Sequence, residues 1–337
     1  MTGWRRAIAF AASFSAVAAA PAASTADTYT ISGRVESASG TLPQTLVVMV
    51  FNQTSDGVEG SSCELLADGR FVTSGLAPGT YILEASTLEE PSGRPSGERG
   101  YALVAVRNRD VDDVLIKTAP GLALRGRVRF DEARRGSARP ATIDVHAMLA
   151  VTDWPGPAET ARAAADGSFE LRDLRGPRVI RVGYGIADAG HLWWFSRALL
   201  DDRDITNEAI DFSARTSGEL VLVFTQRPTA VVGRVEDIAG LPMPGACVVL
   251  LPDDVDLQQG WSTAVGAREA DQRGRFYFTS MPPGDYRLAA YEAARCPTMR
   301  DVLDVADDIA RVGTLVHVNE ASVAHVIVPG TLRPLRP

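Results

Sequence analysis

The chain has 337 residues, of which 45% are hydrophobic and 23% are charged, and its 34 basic and 42 acidic residues give a net charge of −8. Disordered, collagen-like and disulfide-dense chains are excluded, because each of those classes needs a compositional bias that is missing here. An acidic chain without a basic block also excludes nucleic acid as an expected partner.

The first residues have the layout of a secretory signal peptide. Arg5 and Arg6 precede an uncharged run from Ala7 to Ala20, and small residues continue to Ala26. This run is too short for a stable membrane anchor, and no later stretch reaches the length that a spanning helix needs. We predict a signal peptide over 1–26 with cleavage after Ala26, and an exported mature chain without a transmembrane segment. A retained N-terminal anchor is the alternative.

The rest of the chain repeats one pattern three times. Each copy opens with a β-rich run that ends in Gly-Arg-Val, at 33–35, 126–128 and 233–235. An alternating apolar strand and a glycine turn follow, and each turn is followed by an aromatic residue: Phe71, Phe169 or Phe276. Ten residues later another strand opens with Tyr81, Val179 or Tyr286. The gap accommodates a short strand, a tight turn and the start of its antiparallel neighbour.

Short strands separated by glycine and proline turns are typical of β-sandwiches of about 100 residues. We therefore predict an all-β protein with three tandem Ig-like or transthyretin-like β-sandwich domains, over 27–118, 119–226 and 227–337. One segment of the third copy departs from this pattern, because Thr298 to Val312 places apolar residues at helical spacing. The prediction there is a single short amphipathic helix whose acidic face is solvated.

The opening Gly-Arg-Val, the Asp-Gly-x-Phe turn and the Pro-Gly-x-Tyr turn together resemble the carboxypeptidase regulatory-like domain. Phe224 to Val235, followed by Leu241 to Ala246, resembles it most closely. The second copy departs from the pattern at Leu174 to Val179, and the third has Arg273-Gly274 in place of Asp-Gly. The resemblance implies a transthyretin-like or prealbumin-like sandwich, also described as a carbohydrate-binding-like fold. It implies an exported, non-catalytic accessory or interaction role and transfers no functional residue.

Motifs that carry chemistry are scarce. His317 and Glu320 match His-x-x-Glu, but on a strand residues three apart point to opposite faces, and too little chain follows for a zinc peptidase. Two acidic clusters favour solvated turns over calcium loops, since neither has the glycine and distal glutamate of an EF-hand. They comprise Asp110, Asp112 and Asp113, and Asp253, Asp254 and Asp256. We predict no catalytic residue, no metal and no cofactor.

Three tryptophans are candidates for carbohydrate binding, because a flat ring can cover the apolar face of a sugar. They are Trp154, Trp193 and Trp261. Packing in a core or at its rim is the favoured alternative, and of the neighbours Trp193 and Trp194 one must face inward on a strand.

Cys247 and Cys296 fall in the same repeat, so a disulfide between them is one interpretation, with Cys63 unpaired or buried. Three buried free thiols are the other.

Three functions remain open from the sequence. The first is an exported, non-enzymatic structural or interaction protein in the periplasm, at the cell surface or outside the cell, with a protein or glycan partner at the envelope. The second is a carbohydrate-binding protein that uses exposed aromatic residues. The third is an enzyme with a site dispersed between the modules.

Overall fold

The computed structural model describes residues 27–54, 57–87, 97–131, 138–150, 158–184, 193–212, 218–292, 296, 302–303, 305–330 and 333–334. Two β-sheets face each other in each of three successive units, and each pair encloses its own apolar core. The predicted all-β class with tandem sandwiches is confirmed. The predicted signal peptide lies outside the described residues, and the predicted domain boundaries stay predictions. No helix among the described residues is long and apolar enough to cross a membrane.

Domain 1 is the sandwich formed by the first eight strands. They are β1 (Tyr29–Ser37), β2 (Leu46–Thr54), β3 (Gly57–Ser62), β4 (Glu64–Leu65), β5 (Arg70–Leu76), β6 (Gly79–Thr87), β7 (Arg99–Val106) and β8 (Val111–Thr118). One sheet has the order β4-β5-β1-β8, and the other has the order β3-β2-β6-β7. The first and last strands pair in parallel, whereas β1 and β5 pair antiparallel.

Domain 2 uses the next nine strands. They are β9 (Leu122–Phe130), β10 (Ile143–Leu149), β11 (Ala158–Arg162), β12 (Ser168–Leu174), β13 (Pro177–Tyr184), β14 (Trp194–Leu200), β15 (Arg203–Asp204), β16 (Ile210–Asp211) and β17 (Glu219–Thr225). Its sheets have the orders β12-β9-β17-β14-β15 and β11-β10-β13-β16. Whereas β7 of domain 1 pairs with β6, the corresponding β14 pairs with β17 in the opposite sheet.

Domain 3 contains the remaining strands and the α-helix. They are β18 (Ala230–Glu236), β19 (Cys247–Pro252), β20 (Gly266–Glu269), β21 (Arg275–Thr279), β22 (Gly284–Glu292), α1 (Ala306–Val312), β23 (Thr314–Val318), β24 (Val323–Pro329) and β25 (Arg333–Pro334). Its sheets have the orders β21-β18-β24 and β20-β19-β22-β23, and β25 pairs with β22. As in domains 1 and 2, the opening strand pairs in parallel with a late strand, here β24.

The recurring Gly-Arg-Val and Phe residues are explained by one packing contact. In each domain the glycine of the opening strand is the direct cross-strand partner of the Phe. A Cβ on Gly33 would lie 2.8 Å from the Phe71 ring and would overlap the backbone of Val114. A strand glycine beneath a ring therefore lets the aromatic side chain and the parallel neighbour approach together.

The predicted helix over 298–312 is described only in part. Val302 and Leu303 are helical, Val305 lies in a turn, and α1 begins at Ala306. Val302 and Ile309 are buried against the outer face of the β19–β22 sheet. The acidic face is not uniformly solvated. Asp307 is exposed, but Asp308 accepts hydrogen bonds from Arg311 at 2.7 Å and from the Tyr291 hydroxyl at 3.4 Å.

Candidate functional site

The three tryptophans that were candidates for carbohydrate binding differ in their surroundings. Trp193 is 1% exposed, and its ring meets Phe130 edge-on at a centroid distance of 4.9 Å, so it is a core residue that cannot stack on a ligand. Trp154 lies outside the described residues, and Trp261 is half-buried. The half-buried Trp194, which is not among the three candidates, lies on the opposite side of the chain from Trp193. Strand alternation required that one of the two face outward but could not say which.

The structure joins Cys247 to Cys296 in a disulfide, with their Cα atoms 5.3 Å apart. Cys247 opens β19, and Cys296 precedes the helical segment. The bond ties that segment to the sheet it covers. Cys63 is a buried free cysteine, and burial raises the pKa of its thiol to about 11. A thiol that remains protonated at neutral pH is a poor nucleophile.

The acidic clusters are occupied by ordinary turn and strand contacts. Asp110 accepts a hydrogen bond from the Thr30 N–H at 2.8 Å, and Asp253 pairs with Arg287 at 2.9 Å. Among the described residues, no three metal-binding side chains converge. His317 lies 2.7 Å from Asp285, and this hydrogen bond raises the pKa of the imidazole. Glu320 points elsewhere, with its carboxylate 4.0 Å from Arg197 of domain 2.

The junction between domains 1 and 2 has an apolar centre. Ile82 belongs to the second sheet of domain 1 but lies outside the core of that domain. It packs with Leu149, which ends β10 of domain 2, and with Phe51 and Tyr101. Ile82 is fully buried, and Leu149 is 1% exposed. The outer face of one sandwich is therefore removed from water by the end of the next.

Arg175 of domain 2 joins this junction by hydrogen bonds to the backbone of domain 1 and of the linker at 119–121. Its Nε donates to the Ala119 carbonyl at 2.7 Å, and its Nη2 donates to the Gly97 carbonyl at 2.8 Å. The side chain is 4% exposed. A buried guanidinium bonded to two carbonyls holds those segments in one orientation, because losing either contact would leave polar groups unsatisfied.

A second arginine forms ion pairs across the same junction. Arg99 Nε lies 3.2 Å from Glu84 of its own domain, and Arg99 Nη1 lies 3.4 Å from Glu159 of domain 2. The guanidinium of Arg178 lies over the Tyr101 ring at 5.1 Å. Burial raises the pKa of Glu84, and the positive charge of Arg99 only partly offsets this shift. These charges lie largely out of solvent, where pairing matters more than at an open surface.

The junction between domains 2 and 3 is more open. Asn207 of domain 2 accepts hydrogen bonds from the N–H and hydroxyl groups of Thr263, at 2.8 and 3.1 Å. Beside this contact lies a cavity of about 460 Å³. A second cavity of about 520 Å³ shares Ser196, Arg197, Thr229 and Glu320 with the first. The two cavities adjoin at these four residues, and we call them together the junction groove.

Local backbone features shape the junction groove. The pairing of β14 with β17 shifts register between Phe195 and Arg197, which is a bulge that places Ser196 and Arg197 on the groove wall. Bulges commonly re-aim a side chain in this way. On the domain 3 side, Ser280 has φ 61° and Ala321 has φ 54°. Positive φ is unusual for both residue types, so the surrounding structure must hold them there.

Comparison with known proteins gives a distant likeness. No protein-family model matches the chain, and no curated protein matches it. The Bacillus anthracis TIE protein matches 90% of this chain at 10% identity with a TM-score of 0.23, and the chain spans 50% of its length. BcpA, the major pilin subunit of Bacillus cereus, matches 90% of this chain and 99% of its own at 11% identity and a TM-score of 0.22.

A pair of B repeat units from the collagen binding protein of Staphylococcus aureus also matches. The match covers 79% of this chain and 69% of that one, at 14% identity and a TM-score of 0.20. Identities and TM-scores this low transfer no ligand, partner or activity to this chain.

Proposed function

We propose that this is an exported, non-enzymatic structural or interaction protein of the cell envelope, built of tandem carboxypeptidase regulatory-like modules, in which domains 1 and 2 form one rigid unit. The observation that carries the proposal is the buried Arg175 at their junction, which donates to the carbonyls of Gly97 in domain 1 and of Ala119 in the linker that follows it. The repeated glycine and Phe residues support it, since their described contacts serve the sandwich itself.

The junction supports rigidity for a physical reason. Domains joined by a flexible linker keep polar, solvated surfaces toward each other, and their relative motion is the default. Here Ile82 is fully buried by the neighbouring domain, and only residues 119–121 separate β8 from β9. A hinge motion would expose that apolar contact and break the Arg175 hydrogen bonds together. We therefore assign the pair a spacer or docking role that depends on fixed geometry.

Rigidity can be measured by pulsed electron paramagnetic resonance on the mature chain. Spin labels at Arg34→Cys in domain 1 and Arg172→Cys in domain 2 would report across the junction, since both arginines have exposed side chains. Labels at Arg34→Cys and Ser61→Cys, both in domain 1, form the matched control. We expect the two distance distributions to be equally narrow. A distribution across the junction that is several-fold broader than the control would overturn the rigid unit.

Export has its own test. The full chain is expressed in a bacterium, and the protein recovered from the exported fraction is sequenced from its N-terminus. Cleavage after Ala26 gives Asp27 as the first residue. Recovery of the chain only in the cytosol, with its first 26 residues intact, would contradict the proposal.

A further inference from the structure

We infer that the open edge of β24 binds a second copy of this chain, by antiparallel pairing of β24 with itself across a two-fold axis. The inference goes beyond the envelope role proposed above and concerns a different part of the molecule. Among the described residues β24 pairs only with β18, so one of its two edges carries no strand. A strand edge of this kind can accept a strand from another chain.

The backbone of β24 turns alternate residues toward this open edge. Ala230 N–H donates to the Ser322 carbonyl at 2.9 Å. At the other end of the strand, Gly330 N–H donates to the Glu236 carbonyl at 2.7 Å. In the unbroken parallel register between these bonds, the even-numbered residues of β24 bond to β18 and the odd-numbered residues point away from it. The residues that present both N–H and C=O groups at the open edge are Val323, His325 and Ile327.

Domain 2 shows what can fill this edge. Strands β17 and β24 occupy the same place, because each pairs in parallel with the opening strand of its domain. In domain 2 the free edge of β17 is filled by β14, which runs antiparallel to it. Val221 of β17 and Ile327 of β24 are equivalent, since each pairs with the arginine of Gly-Arg-Val. Val221 is 3% exposed beside β14, whereas Ile327 is 52% exposed. The fold therefore accommodates an antiparallel strand at this position.

The corresponding edge of domain 1 is protected against such pairing. There β8 pairs in parallel with the opening strand, but Asp113 has φ 59° and the register shifts beside it. Asp112 and Lys117 add exposed charges. Bulges and charged side chains are common means by which an edge strand avoids joining another. In contrast, β24 (Val323–Pro329) has no Asp, Glu, Lys or Arg, its register with β18 is unbroken, and its one proline ends the strand.

The sequence of β24 is complementary to itself. Val323 and Ile327 lie two positions on either side of His325. When His325 is placed opposite the second copy's His325, Val323 of each copy lies opposite Ile327 of the other. All three residues then exchange N–H and C=O hydrogen bonds across the axis. Val323 is 45% exposed, and its pairing with Ile327 covers two β-branched side chains in each copy. Two acidic chains can meet here because neither strand carries an acidic residue.

The antiparallel arrangement also keeps the other domains apart. Strand β18 follows domain 2 in the chain and runs parallel to β24, so domain 2 lies at the end where both strands begin. The contact of Glu320 with Arg197 of domain 2 lies at that end. Two antiparallel copies therefore place their second domains at opposite ends, and their three-stranded sheets join as one sheet of six strands.

The first test is sedimentation equilibrium of the mature chain over a range of concentrations. We expect a reversible dimer with a dissociation constant below about 100 μM. Val323→Lys and Ile327→Glu should each weaken the dimer about tenfold or more, because a charge then faces an apolar side chain at both ends of the pairing. An equimolar mixture of the two variants should dimerise again, because the introduced lysine faces the introduced glutamate in the heterodimer.

Amide hydrogen exchange read by NMR tests the register. On dimerisation the N–H groups of Val323, His325 and Ile327 should become protected. Those of Ala324 and Val326 should be protected in both states, because they already bond to β18. His325→Pro removes the central outward N–H and leaves the bonds to β18, so it should weaken the dimer about tenfold. His325→Thr keeps that N–H and should dimerise as the wild type does.

Leu115→Glu is the matched control. Leu115 is the equivalent of Ile327 on β8 and is 37% exposed, so this change should leave self-association as in the wild type. A protein that is still monomeric at about 100 μM overturns the inference, as does growth beyond the dimer. So does a dimer that survives Val323→Lys and Ile327→Glu, or a mixture of these variants that stays monomeric while each keeps the unfolding temperature of the wild type. The distances between domains 1 and 2 within one copy are independent of all these outcomes.

Discussion

Domains 1 and 3 cover the same face of the same sheet by different means. Val50 pairs with Leu83 in domain 1, and Leu250 pairs with Leu288 in domain 3, so Glu84 and Ala289 occupy equivalent outer positions. In domain 1 that face is covered by the neighbouring domain through Leu149 and the arginine contacts. In domain 3 it is covered by the domain's own helical segment, which the disulfide secures.

The residues on each face differ according to the element that packs against it. A helix from the same domain meets small and apolar residues, including Ala289 and Val249, and needs no charge pairing. A separate domain meets a mixed face on which Ile82 supplies burial while Glu84 and Arg99 supply polar contacts. Domain 3 therefore contains its own cover, whereas domain 1 depends on domain 2 for part of its stability.

Removing the disulfide should loosen the helical segment that packs on the β19–β22 sheet of domain 3. This is the largest loss of stability that we predict. The bond closes a sequence separation of 49 residues, and a crosslink of that span stabilises by about 4 kcal/mol in the chain-entropy account. We expect Cys247→Ala/Cys296→Ala to lower the free energy of unfolding of domain 3 by about this amount, read from hydrogen exchange in β19 and α1. Domain 1 should be unaffected.

The chemistry of the bond is checked separately on the wild type. Alkylation under denaturing conditions without reductant should label Cys63 alone, because the other two cysteines are bonded. Reductant should then destabilise the wild type but leave the double alanine variant unchanged. Recovery of all three cysteines alkylated without reductant would contradict the disulfide.

Arg175→Ala should weaken the packing of domain 2 on the outer face of domain 1, with the next largest loss of stability. The Gly97 carbonyl loses its arginine donor, and a buried polar group left unpaired costs about 2 kcal/mol. We expect faster hydrogen exchange in β6 and β7 and no change in domain 3. Arg172→Ala is the matched control, because that side chain is 69% exposed and pairs with Glu170 on the same strand. Unchanged exchange in β6 and β7 would show that domain 1 does not depend on the junction.

Whether a contact could be predicted from the sequence depends on how far apart its residues lie along the chain. The glycine turns and the glycine beneath each Phe involve residues that are close in sequence or on neighbouring strands, and the same residues recur in each repeat. The three sandwiches could therefore be predicted from Gly33, Phe71 and their equivalents. Junction contacts join residues about 55 to 80 positions apart, such as Arg175 and Gly97, and nothing in the local pattern marks them. They depend on the pose of two folded domains, which no strand period encodes.

The junction groove could not be predicted from the sequence for a related reason. Its wall includes Arg197, which is positioned by a bulge, and Glu320, which comes from another domain. A bulge shifts the alternation of a strand by one residue, so a period-two pattern assigns the wrong face beyond it. Trp193 and Trp194 could be separated only once the pairing of β14 with β17 was known.

Glu84→Gln tests whether burial or charge pairing dominates on the outer face of domain 1. The test is the sign of a small change in the free energy of unfolding with pH. Because burial raises the pKa of Glu84, folding favours its protonated form, and this contribution is present at low pH and lost as the pH rises through the raised pKa. The free energy of unfolding of the wild type minus that of Glu84→Gln should therefore fall as the pH rises from the ordinary pKa of a glutamate, about 4.3, through the raised pKa of Glu84. Urea titrations across this range measure it.

Glu170→Gln is the matched control with the opposite sign. Its hydrogen bond and charge interaction with Arg172 lower the pKa of Glu170, so the contribution of that carboxylate is lost as the pH falls. The difference between the wild type and this variant should rise with pH, weakly, since the pair lies at the surface. If Glu84→Gln followed the same direction as Glu170→Gln, the Glu84 carboxylate would be stabilised in its charged form by Arg99. Polar contacts at the junction would then outweigh burial, and the face of domain 1 would differ from that of domain 3 in electrostatics rather than in desolvation.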